Sequence, residues 1–477
     1  MKLGVVTTSY PRTAGDPAGS FVAAHVEALR ALGHDVEVIA VGTPPASRSG
    51  ASRSGASKSS ASLSGATLTG ASRSGASLSG GSLSGASSSG GSSSGAALSG
   101  GSLSGAALSG GSLSGGSLSG GSSSGASLSG ASLSGAPLSG APVRWIASSL
   151  FDHGGAPDRL ERHPVRSLAA AALVSARLTL AVARRAATWD SIIAHWLVPS
   201  AIAALPARVP LLAIAHGGDI HTLRRTKLLA PVLRALSRRD AQLAFVSEPL
   251  REIARAAAPD LGAWLDSATI QPMGLDLARF RRVGHTPTRP PTIVIAARLV
   301  DIKGVDVAID ALAHLRAPVR LVIAGDGPER SQLEARARER CASGASDTHA
   351  AGRLARAGHA CHSIEFLGTV DTVRRDRLLR DASIVVVPSR VTASGRTEGM
   401  PMIALEALAA GIPVVASDVG GLSGLGAAAR LVRPDQPREL AAAIDQTLSE
   451  PPDAERLRSA VAHLGWENVA PRLVRST

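Results

Sequence analysis

Short, nearly continuous apolar runs alternate with stretches of helical spacing along most of this chain. LGVVTTS (3–9) opens as a strand and YPRTAGDPAGS follows as a Gly/Pro loop. FVAAHVEALRALG places apolar residues at helical spacing and stops at Gly33, a helix-ending signal. DVEVIAVG returns to strand. A β–α–β opening of this kind demands a parallel sheet, because the crossover lays its helix over the strands.

The alternation resumes after residue 141. VRWI, SIIAHW, LLAIAHGGD and AQLAFVS each predict a strand, the middle two ending in polar loops. RRVGHTPTRPP (281–291) is charged and rich in proline, and predicts a linker between domains. A second β/α series follows: TIVIAARL, a helix around VDVAIDALAHL, VRLVIAGDG, a helix from PERSQLEARARE, IEFLG, SIVVVPS, a helix after Pro401, PVVAS and a helical tail. The fold class is α/β, with two doubly wound Rossmann-like domains facing each other across an interdomain cleft. The expected boundaries are 1–45 with 141–285 for the first domain, 286–452 for the second and 453–477 for the tail.

Residues 46–140 break the pattern. They form nineteen pentads close to (A/G)-S-x-S-G, with Leu central in twelve, Arg or Lys in four and Ser in three. Gly/Ser-rich chain buries too little to offset its ordering entropy, so a flexible, linker-like insert is the first expectation. The rival is a square β-solenoid, since ASLSG resembles pentapeptide-repeat proteins. Charged and Ser residues at the central position weigh against that coil having a dry core. Without the insert, 477 − 95 = 382 residues remain, enough for two ordinary domains.

Composition narrows the partners. A net charge of +13 suits acidic ligands such as nucleotides, phosphosugars or an anionic membrane surface, although an Arg-rich soluble protein explains it equally. Nucleic acid is not expected, because aromatics are 2% and no nucleic-acid-binding signature occurs. Cys341 and Cys361 make no CxxC pair, and with His349, His359 and His362 they match no zinc spacing, so no metal site is expected. The apolar stretch 167–183 contains Arg177 and is dominated by alanine, which predicts a packed helix rather than a span. MKLGVVTTSY reads as a buried strand and not a signal peptide, so a cytoplasmic protein is expected.

Ligands of open α/β sheets bind beyond the carboxyl ends of the strands, and several polar loops fall there. Arg298 and Lys303 leave one strand together; two cations can neutralise a diphosphate, and a solvated pair is the even alternative. AGDGP (324–328) offers Gly325 and Gly327 for a tight turn, with Pro328 ready to start a helix. In EGMPMIALE (398–406) Pro401 suits a first helical turn, and the amides around Gly399 to Met402 form a helix N-terminus, which attracts phosphate. Glu398 precedes that terminus, and Glu406 lies farther along. One carboxylate can hold a sugar and the other a ribose diol, with the diphosphate between them. An acid complementing the helix dipole, with Glu406 on the surface, is the plainer reading of the same residues. PVVASDVGGL (413–422) ends in a Gly-Gly loop open to close ligand approach. In the first domain AHGGD (215–219) places His216 and Asp219 at a strand end, and Gly15 and Gly19 supply adaptable backbone. Arg224, with Arg225 and Lys227, could meet an anionic acceptor or membrane, against a solvated helix face as the simpler account.

The second-domain series AARLVDIKGVDVAIDALA, LVIAGDGPERSQLE, IEFLGTV and VVVPSR…EGMPMIALEALAAGIPVVASDVGG resembles the family-4 glycosyltransferases, retaining enzymes of the GT-B fold. TTSYPR…AGSFVAAHVEALRALGHDVEVIA, the HGGD loop and GWENVA are also similar. The resemblance implies that Arg298 and Lys303 bind the donor diphosphate, that Glu398 and the Gly399–Met400–Pro401 backbone contact the donor sugar and phosphate, and that Glu406 binds ribose. It also implies that His216 contacts the transferred sugar, that no cofactor or metal is needed, and that the final segment crosses back to the first domain. The partners would be a nucleotide sugar and a sugar or lipid-linked acceptor in cell-surface polysaccharide or glycolipid synthesis. Ala297 stands where glycine is usual, and Ala18-Gly19-Ser20 replaces a Gly-Gly pair, which leaves phosphate contact there open. A GT-B epimerase and a non-catalytic protein acting through its repeat are the alternatives. A glycoside hydrolase also pairs carboxylates but has no use for the cations.

Overall fold

The computed structural model describes residues 1–13, 15–44, 142–148, 150, 164–346 and 362–474, with the short strands between Leu63 and Ser134. In the first half, β1 (Lys2–Thr7), α1 (Ser20–Ala31), β2 (Asp35–Val41), β3 (Val143–Ile146), α2 (Pro164–Ala186), β4 (Ser191–His195), β5 (Leu211–Ala215), α3 (Gly218–Arg225), β6 (Gln242–Phe245), α4 (Glu248–Ala257) and β7 (Thr269–Ile270) follow in order. The seven strands make one sheet, β3-β2-β1-β4-β5-β6-β7, and every pair is parallel. β1, β4 and β5 are buried almost throughout, which accounts for their continuous apolar sequence.

The second half contains α5 (Leu277–Val283), β8 (Thr292–Ala296), α6 (Val305–Ala311), β9 (Arg320–Ala324), α7 (Arg330–Ser346), β10 (Ser363–Gly368), α8 (Thr372–Asp381), β11 (Ile384–Val387), α9 (Met402–Ala410), β12 (Val414–Ser417), β13 (Arg430–Val432), α10 (Pro437–Ser449) and α11 (Ala454–Val461). Its parallel sheet runs β10-β9-β8-β11-β12-β13. Period-two alternation divides this sheet's side chains between two cores. Val294, Val322 and Val385 join α9 and α11 on one face, and Ile293, Ile295, Leu321 and Ile323 join α6 and α10 on the other. Strand order reverses at β1/β4 and again at β8/β11, and those switch points are where loops diverge to leave a binding crevice.

Several expectations change. The stretch 281–291 is not all linker, because α5 continues to Val283 with Phe280 in the core. Pro328 stands in a turn, and α7 begins at Arg330. The helix containing 167–183 packs Val174, Leu178 and Val182 inward. Among the described residues no helix is long and apolar enough to cross a membrane. Cys361, His349 and His359 lie outside the described residues. Beyond α11, Trp466 donates its backbone N–H to the Leu275 carbonyl at 3.2 Å and stacks on His25 of α1, centroids 5.1 Å apart.

Within the insert the described strands pair in parallel at a constant offset, 83 − 63 = 20 residues, as in Leu63↔Leu83↔Leu103↔Ser123. Four such ladders occur, one for each of four successive pentads. Arg73 pairs with Ser93 in one of them, so the charged central positions do not prevent pairing. The ladders repeat with the four-pentad period that the solenoid alternative calls for, and the residues joining them lie outside the described residues.

Candidate functional site

Two of the expected site residues, Lys303 and Glu398, lie in the loops beyond the adjacent switch-point strands of the second sheet. Lys303 ends the short turn Asp301–Lys303 after β8, and Glu398 lies in the loop after β11. Lys303 Nζ is 2.8 Å from Glu398 Oε1, and the side chains are 22% and 12% exposed. Arg390 fixes the lysine's turn. Its backbone N–H donates to the Ile302 carbonyl at 3.0 Å, and its guanidinium reaches Asp301 at 2.9 Å, Asp306 at 2.7 Å and Asp435 at 2.8 Å. Gly304, left-handed at φ 58°, lets the turn lie against the Pro388 carbonyl, which a Cβ would strike. Arg298 is half-buried, five residues before Lys303 on the same loop.

Glu406 is not the surface acid of the plainer reading. It lies 6% exposed in the middle of α9, with Arg375 Nη1 of α8 at 3.1 Å from Oε1. Burial pushes its carboxyl up from the ordinary range, against the pull of Arg375 and Arg279. Arg279 is itself held by a fork to Asp376 at 2.9 and 2.7 Å. Pro401 caps α9, and Met400 packs against the adjoining core.

The first sheet meets this loop through His216. A Cβ on Gly399 would collide with the His216 carbonyl, and one on Gly217 would sit 3.1 Å from Gly399 Cα. Beside that contact His221 Nε2 accepts from the Thr397 N–H at 3.3 Å, and Arg224 donates to the Gly395 carbonyl at 2.6 Å. His221 is pushed down to about 4, by burial first and by Arg224 and Arg396 next. His216, His221 and Arg224 of the first half thus come together with the Glu398 loop of the second.

Both acceptor-side candidates are engaged within the chain. Asp219 is 4% exposed and accepts from the backbone N–H groups of Leu197, His216, Gly217 and Ile220 at 2.7 to 3.2 Å. Its carboxylate shapes the His216 turn and is spent in doing so. Burial nevertheless leaves its pKa raised. Arg224 is likewise occupied in joining the two halves. The expected glycine contacts also change character. Gly421 lies against the Gly399 carbonyl, Gly325 against that of Ala297, and Gly19 (φ 67°) against Ser9. Close approach is required at each, and the approaching group is this chain's own backbone.

Sequence reasoning missed the surroundings of His216. His195 Nδ1 lies 3.0 Å from His216 Nε2, and His195 Nε2 lies 3.1 Å from His25 Nδ1. Phe21 and Trp196 flank the His216 ring at 5.3 and 4.7 Å between centroids. Trp196 holds φ 71°, a strained value for a bulky residue and one concentrated at functional sites. His25 and His216 are each pushed down to about 3, and His195 falls well below its ordinary value, chiefly through burial. All three rings are therefore neutral near pH 7. No motif marks His25, His195 or Arg375. A His at the end of an apolar strand was the one available signal.

Two parallel, doubly wound sheets whose switch-point loops meet around paired charges define a two-domain, Rossmann-like protein of the GT-B fold. Residues 290–450 match the glycosyl transferases group 1 family, and residues 54–85 and 112–141 match pentapeptide repeats, in eight copies. The chain is similar to the D-inositol 3-phosphate glycosyltransferase of Xylanimonas cellulosilytica, 32% identical over 277 residues, covering 51% of this chain and 59% of that protein. It is also similar to the glycogen synthase of Mycobacterium tuberculosis, 31% identical over 221 residues, covering 44% and 48%. The chain spans about half to three-fifths of the length of the curated relatives it matches. Among solved structures, sucrose-phosphate synthase from Thermosynechococcus elongatus aligns with a TM-score of 0.56 at 16% identity, over 99% of this chain and 97% of that one.

Proposed function

We propose that this chain is a retaining, metal-independent glycosyltransferase that moves a sugar from a nucleoside-diphosphate sugar to an acceptor in cell-surface polysaccharide or glycolipid synthesis. The observation that carries this reading is the Lys303–Glu398 pair at a switch point, with the His216 loop packed on the adjacent Gly399. Breaking a glycosyl–phosphate bond leaves negative charge on the departing diphosphate. Lys303, Arg298 and the N-terminus of α9 supply fixed positive potential for it. Glu398 orients the transferred sugar, and Glu406 takes the ribose hydroxyls. His216 contacts the sugar from the other side of the crevice. The acceptor attacks on the face the diphosphate leaves, and the leaving phosphate takes the acceptor's proton.

The first experiment is thermal stability with each common nucleoside diphosphate, followed by chromatography of nucleotide sugars incubated with and without free-sugar and lipid acceptors. One diphosphate is expected to raise Tm, as any ligand selective for the native state must. Its sugar conjugate is expected to be consumed fastest when an acceptor is present. No Tm response to any diphosphate would overturn the reading, and isomerised donor formed without acceptor would replace it with an epimerase.

A further inference from the structure

Three imidazoles in a row pose a bookkeeping problem that only two arrangements solve. In each of the two nitrogen–nitrogen contacts, His216 Nε2 to His195 Nδ1 and His195 Nε2 to His25 Nδ1, one partner donates and the other accepts. Neutral rings carry one N–H each, so fixing any tautomer fixes all three. Either every ring carries its hydrogen on Nδ1, or every ring carries it on Nε2.

The far end of the row decides between them. His25 and His195 are fully buried, and His25 Nε2 has no hydrogen-bond partner among the described residues. The ring stacked on His25, with 9° between the planes, is Trp466, whose Nε1 is also buried and without a partner there. The indole nitrogen can only donate. With hydrogens on Nε2, two donors would be stranded in one buried layer. With hydrogens on Nδ1, the layer holds one unpartnered donor and one unpartnered acceptor instead of two donors, a pair that one buried water can bridge.

We propose that His25 and His195 are positioning residues which, biased by Trp466, hold His216 as its Nδ1–H tautomer. His216 then has its Nε2 lone pair occupied by His195 and keeps a donor N–H on Nδ1 for a substrate oxygen. The C-terminal segment carrying Trp466 is thereby coupled to the chemistry of a first-domain loop. This goes beyond the glycosyltransferase reading and does not depend on it, since the tautomer is measured with no substrate present.

The test is long-range proton–nitrogen correlation NMR on the full chain carrying nitrogen-15 histidine, above pH 7, with signals assigned by single His substitutions. The expected result is Nδ1–H patterns for His25, His195 and His216, opposite to the Nε2–H form favoured by histidine in water. His195→Phe should return His216 to the Nε2–H pattern, and His195→Gln, which can still donate, should restore Nδ1–H. Trp466→Phe keeps a stacked ring without the N–H and should leave His216 as a mixture. An Nε2–H pattern for His216 in the unaltered protein would overturn the proposal whatever the variants do. So would a His216 pattern indifferent to His195→Phe in a folded variant.

Discussion

Lys303 and Glu398, 95 residues apart in sequence (398 − 303), form a 2.8 Å ion pair where the second sheet's strand order reverses. Neither side chain is more than a quarter exposed, so the pair is shielded from the screening that makes surface pairs weak. Lys303→Ala is expected to destabilise the fold by about 1–3 kcal/mol, because it leaves a partly buried carboxylate without its partner. Adding Glu398→Ala should recover part of that loss, and a double-mutant cycle in urea measures the coupling. Lys303→Ala should also reduce the diphosphate-induced rise in Tm. If the rise is unchanged, the lysine has no part in the diphosphate site.

Glu406 tests the other end of the proposed donor. Glu406→Gln keeps the shape of the side chain and removes the charge opposite Arg375. Neutralising the acid relieves the burial cost that raises its pKa but removes the charged partner of Arg375, so the two effects oppose and the net change in stability is expected to stay within about 1 kcal/mol. Ribose binding should suffer more than folding does. The variant's Tm response is expected to shrink for nucleoside diphosphates and to remain unchanged for inorganic pyrophosphate, which has no ribose. Equal losses for both ligands would move Glu406 out of the ribose site.

What the sequence made legible follows from what each signal depends on. The strands of both sheets stood out because they are buried on two faces, as β8 and β11 are, and continuous apolar runs are their direct signature. The positions of Lys303, Glu398 and His216 beyond strand ends were legible because residues there take their place from topology alone. Asp219 shows what topology leaves open. A carboxylate at a strand end looks the same in sequence whether it faces ligand or folds back onto four amides, and only the turn's geometry separates the two. The glycines of the 413–422 loop pose the same ambiguity, since close approach by a ligand and by the Glu398–Gly399 backbone make the same demand. His25, Trp466 and Arg375 were invisible, because their partners lie on elements far away in the chain.

Arg390 offers a test of positioning apart from contact. It holds Asp301, Asp306 and Asp435 and so fixes the turn that presents Lys303. Arg390→Lys keeps the charge but cannot reach three carboxylates with one ammonium. A loss of about 1–2 kcal/mol in stability is expected, within the range for breaking a hydrogen-bonded charge network. The diphosphate response should fall as it does for Lys303→Ala, with Lys303 itself intact. Combining the two substitutions should then cost little more binding than either alone, which isothermal titration with the diphosphate can determine.

The histidine row makes stability depend on acid in a direction fixed by sign. His25 has a folded pKa of about 3 against 6.5 in the unfolded chain, with burial as the cause. A group depressed on folding contributes stability that is complete above its unfolded value and is lost as pH falls toward the folded one, because the unfolded chain takes up the proton first. Between pH 7.5 and pH 5, His25 alone should therefore remove about 2 kcal/mol, from the linkage relation applied to those two values. Glu406 runs the other way: its raised pKa makes the folded state the better proton acceptor, so acid relieves part of its burial cost. Comparing the unaltered protein with His25→Leu cancels that term and those of unrelated surface groups. His25→Leu should be less stable at pH 8, since His195 loses a partner, yet its urea midpoint should decline less steeply on acidification. Parallel declines in the two proteins would show that His25 is not held neutral, and with it the sealed environment described for the row of rings would fail.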